Sequence, residues 1–118
     1  MIVGLGVDVV DLARFDRAVS RTPRLRERLF AESERMLPLR SLAARFAAKE
    51  ALVKALGDAE DVHWVDMAIA ADATGNPSFV VDGPLAALLE RRGIAALHVS
   101  MSHDSGVAVA TVVAEARG

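Results

Sequence analysis

The sequence predicts an α+β fold: an antiparallel sheet packed against one long central helix, with short helices around it. Three observations carry this expectation. Residues 39–56 are dense in Ala, Leu, Lys, Arg and Glu, the strongest helix formers, and Gly57 follows where a helix-ending glycine belongs. Segments with strand-like alternation open and close the chain, at residues 2–10, 95–102 and 107–114. The last two are separated by only a few residues, which suits antiparallel neighbours and not parallel ones. A chain of 118 residues is long enough for one hydrophobic core and too short for two, so residues 1–118 are expected to form a single domain.

In chain order, residues 2–10 put Val3, Leu5, Val7 and Val9 on one face and Gly4, Gly6, Asp8 and Val10 on the other. The second face leaves open space beside the strand, with a carboxylate at its end. Glycine inside a strand often marks close approach of a ligand or another backbone. Asp11 can cap a helix running to about Ser20, with Leu12, Phe15 and Val19 toward the core. Thr22-Pro23 has the form of a second cap, for a short helix to about Leu29. Ser33-Glu34 starts a helical turn that Pro38 ends. After the long helix, residues 58–63 read as a polar loop. Residues 65–71 and 78–81 read as strands joined by Asp72-Ala73-Thr74-Gly75-Asn76-Pro77, a turn by composition. Asp82-Gly83-Pro84 opens a helix over residues 85–92, and His103-Asp104-Ser105-Gly106 turns the final hairpin.

The central helix is apolar almost all round. Leu42, Phe46, Leu52, Val53 and Leu56 form a bulky stripe, and Ala44, Ala47, Ala48, Ala51 and Ala55 form a small-residue face that allows close backbone approach. Arg45 and Lys49 nevertheless lie within the bulky stripe, with Glu50 and Lys54 in the remaining gap. Buried charges need partners or ligands. Two readings stand side by side. Glu50 and Lys54 make an i,i+4 surface pair while Arg45 and Lys49 reach out to water. Alternatively, Asp8 and Glu50 hold a hard cation such as Mg²⁺, and Arg45, Lys49 and Lys54 hold phosphates.

Composition narrows the function. There is no cysteine, which excludes disulfides, cysteine-ligated zinc and thiol nucleophiles and fits a reducing cytoplasm. Residues 1–10 lack the basic start of a signal peptide, and no apolar run is long enough to span a membrane. A net charge of −2 and scarce aromatics (four Phe, one Trp, no Tyr) argue against nucleic-acid binding. No Walker loop or serine-hydrolase elbow is present, and His63, His98 and His103 have no zinc spacing. Between Arg14 and Arg28, six arginines face Asp16 and Glu27 alone. Arg14, Arg17, Arg21, Arg24 and Arg28 recur at spacings of three and four. This stripe is either a solvated helix face or a docking face for an acidic partner.

Three blocks then settle on one family. Gly6-Val7-Asp8-Val9-Val10-Asp11-Leu12-Ala13-Arg14, Arg45-Phe46-Ala47-Ala48-Lys49-Glu50-Ala51-Leu52-Val53-Lys54-Ala55 and His98-Val99-Ser100-Met101-Ser102-His103 resemble the signatures of the holo-[acyl-carrier-protein] synthases, the small bacterial class of 4′-phosphopantetheinyl transferases. Trp64-Val65-Asp66 and Gly75-Asn76-Pro77 fit the same pattern. The resemblance implies the 4′-phosphopantetheinyl transferase fold and Mg²⁺-dependent transfer of 4′-phosphopantetheine from coenzyme A to a serine of apo acyl carrier protein, leaving adenosine 3′,5′-bisphosphate. It implies that Asp8 and Glu50 bind Mg²⁺ and that Asp8, Glu50 and Lys54 are catalytic. By the same resemblance Arg45, Lys49, Lys54 and His103 contact coenzyme A, and Arg14, Arg21 and Arg24 dock the carrier. It further implies a homotrimer, with coenzyme A between neighbouring subunits and Arg45 and Lys49 facing that border; whether the carrier serves fatty-acid or polyketide synthesis stays open. The base for the carrier serine stays open between Glu50 directly and a water relaying to it. The chain departs from the family at Gly57-Asp58-Ala59-Glu60-Asp61, where Gly-Thr-Gly is usual, so that loop's nucleotide contacts do not carry over. The segment between Ser33 and Leu42 also looks short for the family. A module that binds coenzyme A or a related nucleotide as an oligomer without turnover is the alternative, but it would not need both carboxylates.

Overall fold

A computed structural model describes residues 1–118. A long first strand, β1 (Ile2–Asp11), leads into two short helices, α1 (Leu12–Arg21) and α2 (Leu25–Leu29). The long helix α3 (Leu39–Leu56) follows, with Gly57 at its C-cap. Then come a 3₁₀ turn at Trp64–Asp66, strands β2 (Ile69–Ala71) and β3 (Pro77–Phe79), helix α4 (Gly83–Arg91), and the hairpin β4 (Ile94–Asp104) with β5 (Val107–Ala116). The main sheet is antiparallel in the order β1-β5-β4, and β2 and β3 form a separate antiparallel ribbon. Helix α3 lies across β1 and β5. The expected α+β architecture is the one observed.

The contact between α3 and the sheet is unusually close. A Cβ on Gly4 would overlap the Ala55 carbonyl, and one on Gly6 would overlap the Ala51 carbonyl. The glycine face of β1 and the alanine face of α3 therefore meet backbone to backbone. Ala47, Ala48 and Ala51 are fully buried there, opposite Ala110, Val112 and Ala114 of β5. Leu85, Leu88 and Leu89 of α4 close the same core, while Phe15, Leu29, Phe30 and Leu42 form a smaller cluster under α1 and α2. The other face of β1 has no cover within the chain. Val3, Leu5, Val7 and Val9 are each more than half exposed.

Several boundaries differ from expectation, among them the final turn, which narrows to Ser105-Gly106 because β4 runs on through His103 and Asp104. The strand expected over residues 65–71 is only β2, because Trp64–Asp66 coils into the 3₁₀ turn. The His63 amide donates to the Asp66 carboxylate at 2.9 Å, and the Met67 amide to the Trp64 carbonyl at 3.1 Å. The strand expected over 78–81 shortens to β3, and Val80 and Val81 stay outside it. The second helix begins at Leu25 and not after Thr22, because the Thr22 amide still closes the end of α1 on the Ala18 carbonyl. The Asp11 cap is as expected, accepting from the Arg14 amide at 2.9 Å. Ser105 and Gly106 both take positive φ, the backbone a two-residue antiparallel hairpin needs.

Candidate active site

Asp8 faces α3 because it shares the register of Gly4 and Gly6, and Glu50 sits one residue before Ala51, whose carbonyl touches Gly6. The close packing of glycine on alanine thus places the two carboxyl groups side by side. They line a cleft of about 280 Å³ between β1, α1 and α3. Its walls are Val9, Val10, Phe15, Ala18 and Phe46, with Asp11 and Arg14 at the α1 side. Lys54, one turn beyond Glu50, crosses to β1. Its ammonium donates to Asp8 at 2.8 Å and to the Val7 carbonyl at 3.1 Å. The weak Glu50–Lys54 surface pair is therefore replaced by an ion pair between Lys54 and Asp8.

The charges respond to this crowding. Partial burial pushes the Glu50 carboxyl up to about 7, helped by the hydrogen bond and the charge of Asp8 and opposed by Lys54. The hydrogen bond to Asp8 pushes the Lys54 ammonium up. Lys54 supplies one positive charge, paired with Asp8, and the Glu50 carboxyl still fails to ionise at an ordinary carboxyl pH. The oxygens of the two carboxyl groups fit a hard divalent cation that fills its remaining positions with water and substrate oxygens.

A family model described as the 4′-phosphopantetheinyl transferase superfamily matches residues 4–112. The chain belongs to that superfamily. A holo-[acyl-carrier-protein] synthase from Leifsonia xyli subsp. xyli is 61% identical over 115 residues, 98% of each chain. Among solved structures, the holo-[acyl-carrier-protein] synthase of Neisseria meningitidis is 36% identical with a TM-score of 0.89, covering 98% of this chain and 99% of that one. The Helicobacter pylori synthase in complex with coenzyme A is 31% identical with a TM-score of 0.83, covering 94% and 99%.

Within this transferase, not every residue picked from the sequence reaches the cleft. Lys49 is the clearest correction. It is fully buried, and its three donors meet Glu34 at 2.7 Å, the Leu29 carbonyl at 2.7 Å and the Trp64 carbonyl at 3.1 Å. No donor remains for a phosphate, and no part of the side chain reaches the surface of the chain. Burial lowers the Lys49 ammonium, and Glu34 opposes that fall. Arg45 joins the same cluster, with Nε 3.6 Å from Glu34 and 3.4 Å from the Ile69 carbonyl; only 12% of its side chain is exposed. Glu34, the centre of the cluster, drew attention only as the start of a turn. Only its bond to the Ala31 amide is local; Arg45, Lys49 and the Ile69 amide are distant in sequence, so no local pattern marks the cluster.

His103 is also outside the transferase's cleft. It pairs across Ala108 of β5, which in turn pairs with Val10 of β1. Two strand spacings, roughly 10 Å, separate it from β1. Arg14, Arg21 and Arg24 are exposed, along with Arg17 and Arg28, and none of the five forms an ion pair with a carboxylate. Arg14 alone of them lines the cleft.

Proposed function

We infer that this chain transfers 4′-phosphopantetheine from coenzyme A to a serine of an apo acyl carrier protein, with Mg²⁺ held by Asp8 and Glu50 and adenosine 3′,5′-bisphosphate as the second product. The observation that carries the chemistry is the Asp8–Glu50 carboxyl pair with Lys54 against it, at one end of an open cleft. Relatives that share most of the chain are holo-[acyl-carrier-protein] synthases, one solved with coenzyme A. When bound, the cation would neutralise charge on the diphosphate and on the leaving phosphate. Asp8 and Glu50 would hold it. Lys54, half exposed beside Asp8, would meet a diphosphate oxygen from the protein side. Glu50, ionised once the cation is bound and open to the cleft, would be placed to take the serine proton directly or through a water.

Arg14, Arg21 and Arg24 would guide the acidic carrier. Arg14 marks where its serine enters, since it is the arginine that borders the carboxyl pair. Arg45 and Lys49 would serve coenzyme A only through the shape they give the fold. His103 would act on the cleft of a neighbouring copy, in a homotrimer with one site at each border. The exposed apolar face of β1 supports such assembly. Residues 1–118 would act as one transferase domain. No helix is long and apolar enough to cross a membrane, and a cytoplasmic setting beside its carrier and coenzyme A fits the reaction.

Mass spectrometry of an apo carrier protein incubated with the chain, coenzyme A and Mg²⁺ tests the reading. Addition of one phosphopantetheine to the carrier is expected. No addition across several carriers would leave only the coenzyme-binding module.

A further inference from the structure

Glu34 and Lys49 form a buried ion pair that takes no part in the cleft. We propose that the two are positioning residues: they hold the basic α1–α2 face in register with Glu50, so that a docked carrier presents its serine at the carboxyl pair. This rests on the reading that the carrier docks on that face.

The contacts define the strut. The Lys49 ammonium meets the carbonyl of Leu29, the last residue of α2, a group the helix itself leaves open. Glu34 takes the Ala31 amide at 3.0 Å, on the connection after α2, and the Ile69 amide at 3.1 Å, at the start of β2. One ion pair thus ties the end of α2, the connection to α3, α3 itself and β2. Lys49 directly precedes Glu50. A second, apolar route runs beside it. The ammonium lies 4.9 Å from the centre of the Phe30 ring, and Phe30 meets Phe15 edge-on at 6.2 Å. Phe15 follows Arg14 and stacks at 5.8 Å on Phe46, one turn before Glu50. Arg14 and Glu50 are therefore joined through packed rings as well as through charge.

A buried ion pair is a weak source of stability, since apolar residues of the same size hold a fold as well or better. What it supplies is direction. Three ammonium donors and two carboxylate oxygens fix the place of every partner, which an apolar contact does not. That is useful where a docking face must stand at a set distance from a reacting group.

The deciding variant is Glu34→Gln/Lys49→Met, which removes the paired charges together and leaves the Arg45 guanidinium the Ile69 carbonyl and the amide oxygen of the new side chain as acceptors. The expected result is a KM for carrier raised about tenfold with the Kd for coenzyme A, read by calorimetry, changed less than about twofold. An unchanged carrier KM overturns the proposal, and so does a parallel loss of coenzyme affinity, which a merely structural role would produce. Arg14→Glu run beside it separates the two readings. If Arg14→Glu raises the carrier KM and the pair variant does not, the strut alone fails. If Arg14→Glu changes nothing, the docking reading fails and the strut with it. Should the pair variant not fold, hydrogen exchange of the unaltered protein decides. Carrier binding should slow the Ala31 and Ile69 amides that Glu34 holds, and no change at either overturns the proposal.

Discussion

In the proposed reaction, Glu50 is the residue on which most of the chemistry would turn. Its carboxyl sits near 7 because it is partly buried and shares its surroundings with Asp8. A cation between the two carboxylates would favour their ionised forms, so binding must expel the proton that Glu50 carries below that pH. Mg²⁺ affinity should therefore rise as pH rises through about 7, and calorimetry in two buffers of different ionisation enthalpy should detect proton release. Glu50→Gln should abolish both effects; release that survives it would place the proton elsewhere. Without the metal the sign for stability is the reverse. Between the ordinary carboxyl pKa and about 7 the folded chain binds more protons at Glu50 than the unfolded one, so this group's contribution falls as pH rises across that window. Asp8→Ala and Glu50→Ala should each abolish transfer to the carrier while leaving circular dichroism near that of the unaltered chain. Both side chains border an open cleft, and neither fills the core. Full activity in either variant would remove that residue from the metal site.

The meeting of β1 and α3 creates this site. Gly6→Ala would drive a methyl into the Ala51 carbonyl, and the helix cannot yield without leaving β5 as well. Overpacking of this kind costs about 3 kcal/mol. Urea denaturation should show that loss, and Mg²⁺ affinity should fall with it as Asp8 and Glu50 separate. A stable variant with full metal affinity would mean that glycine is not needed there. Much of this geometry was legible in the sequence. The glycines of β1, the alanines of α3 and the placement of Asp8 and Glu50 are periodic signals within single elements, and periodicity reports which residues share a face. Partnership between elements is not written in the same way. Lys49 looked like a phosphate ligand because a lysine beside Glu50 has no local explanation. Its explanation is Glu34, brought to it by a turn whose own pattern is only Ser33, Glu34 and Pro38. The 3₁₀ turn is hidden for a related reason: Trp64, Val65 and Asp66 suit a strand until the Asp66 side chain takes the His63 amide.

At the scale of the molecule, the sheet has one face too many. Within a single chain α3 covers one side, while Val3, Leu5, Val7 and Val9 stand in water on the other. A contiguous apolar face of this kind is an interaction surface, and His103 lies on the wrong strand to serve the cleft of its own chain. Both observations would be explained by the proposed assembly, in which copies lend each other residues. Leu5→Lys should leave the chain folded, because the side chain has little to lose inside it, and should lower the mass seen by light scattering to that of one chain. Transfer activity should fall with the assembly. Mixing carries the argument to the site itself. Asp8→Ala chains and His103→Ala chains, each inactive alone, should regain part of the activity when unfolded together and refolded. Some borders in the mixed assembly would then pair an intact Asp8 with an intact His103. A mixture that stays inactive would put His103 to work inside its own chain or outside the reaction, and the apolar face would have to be explained without the active site.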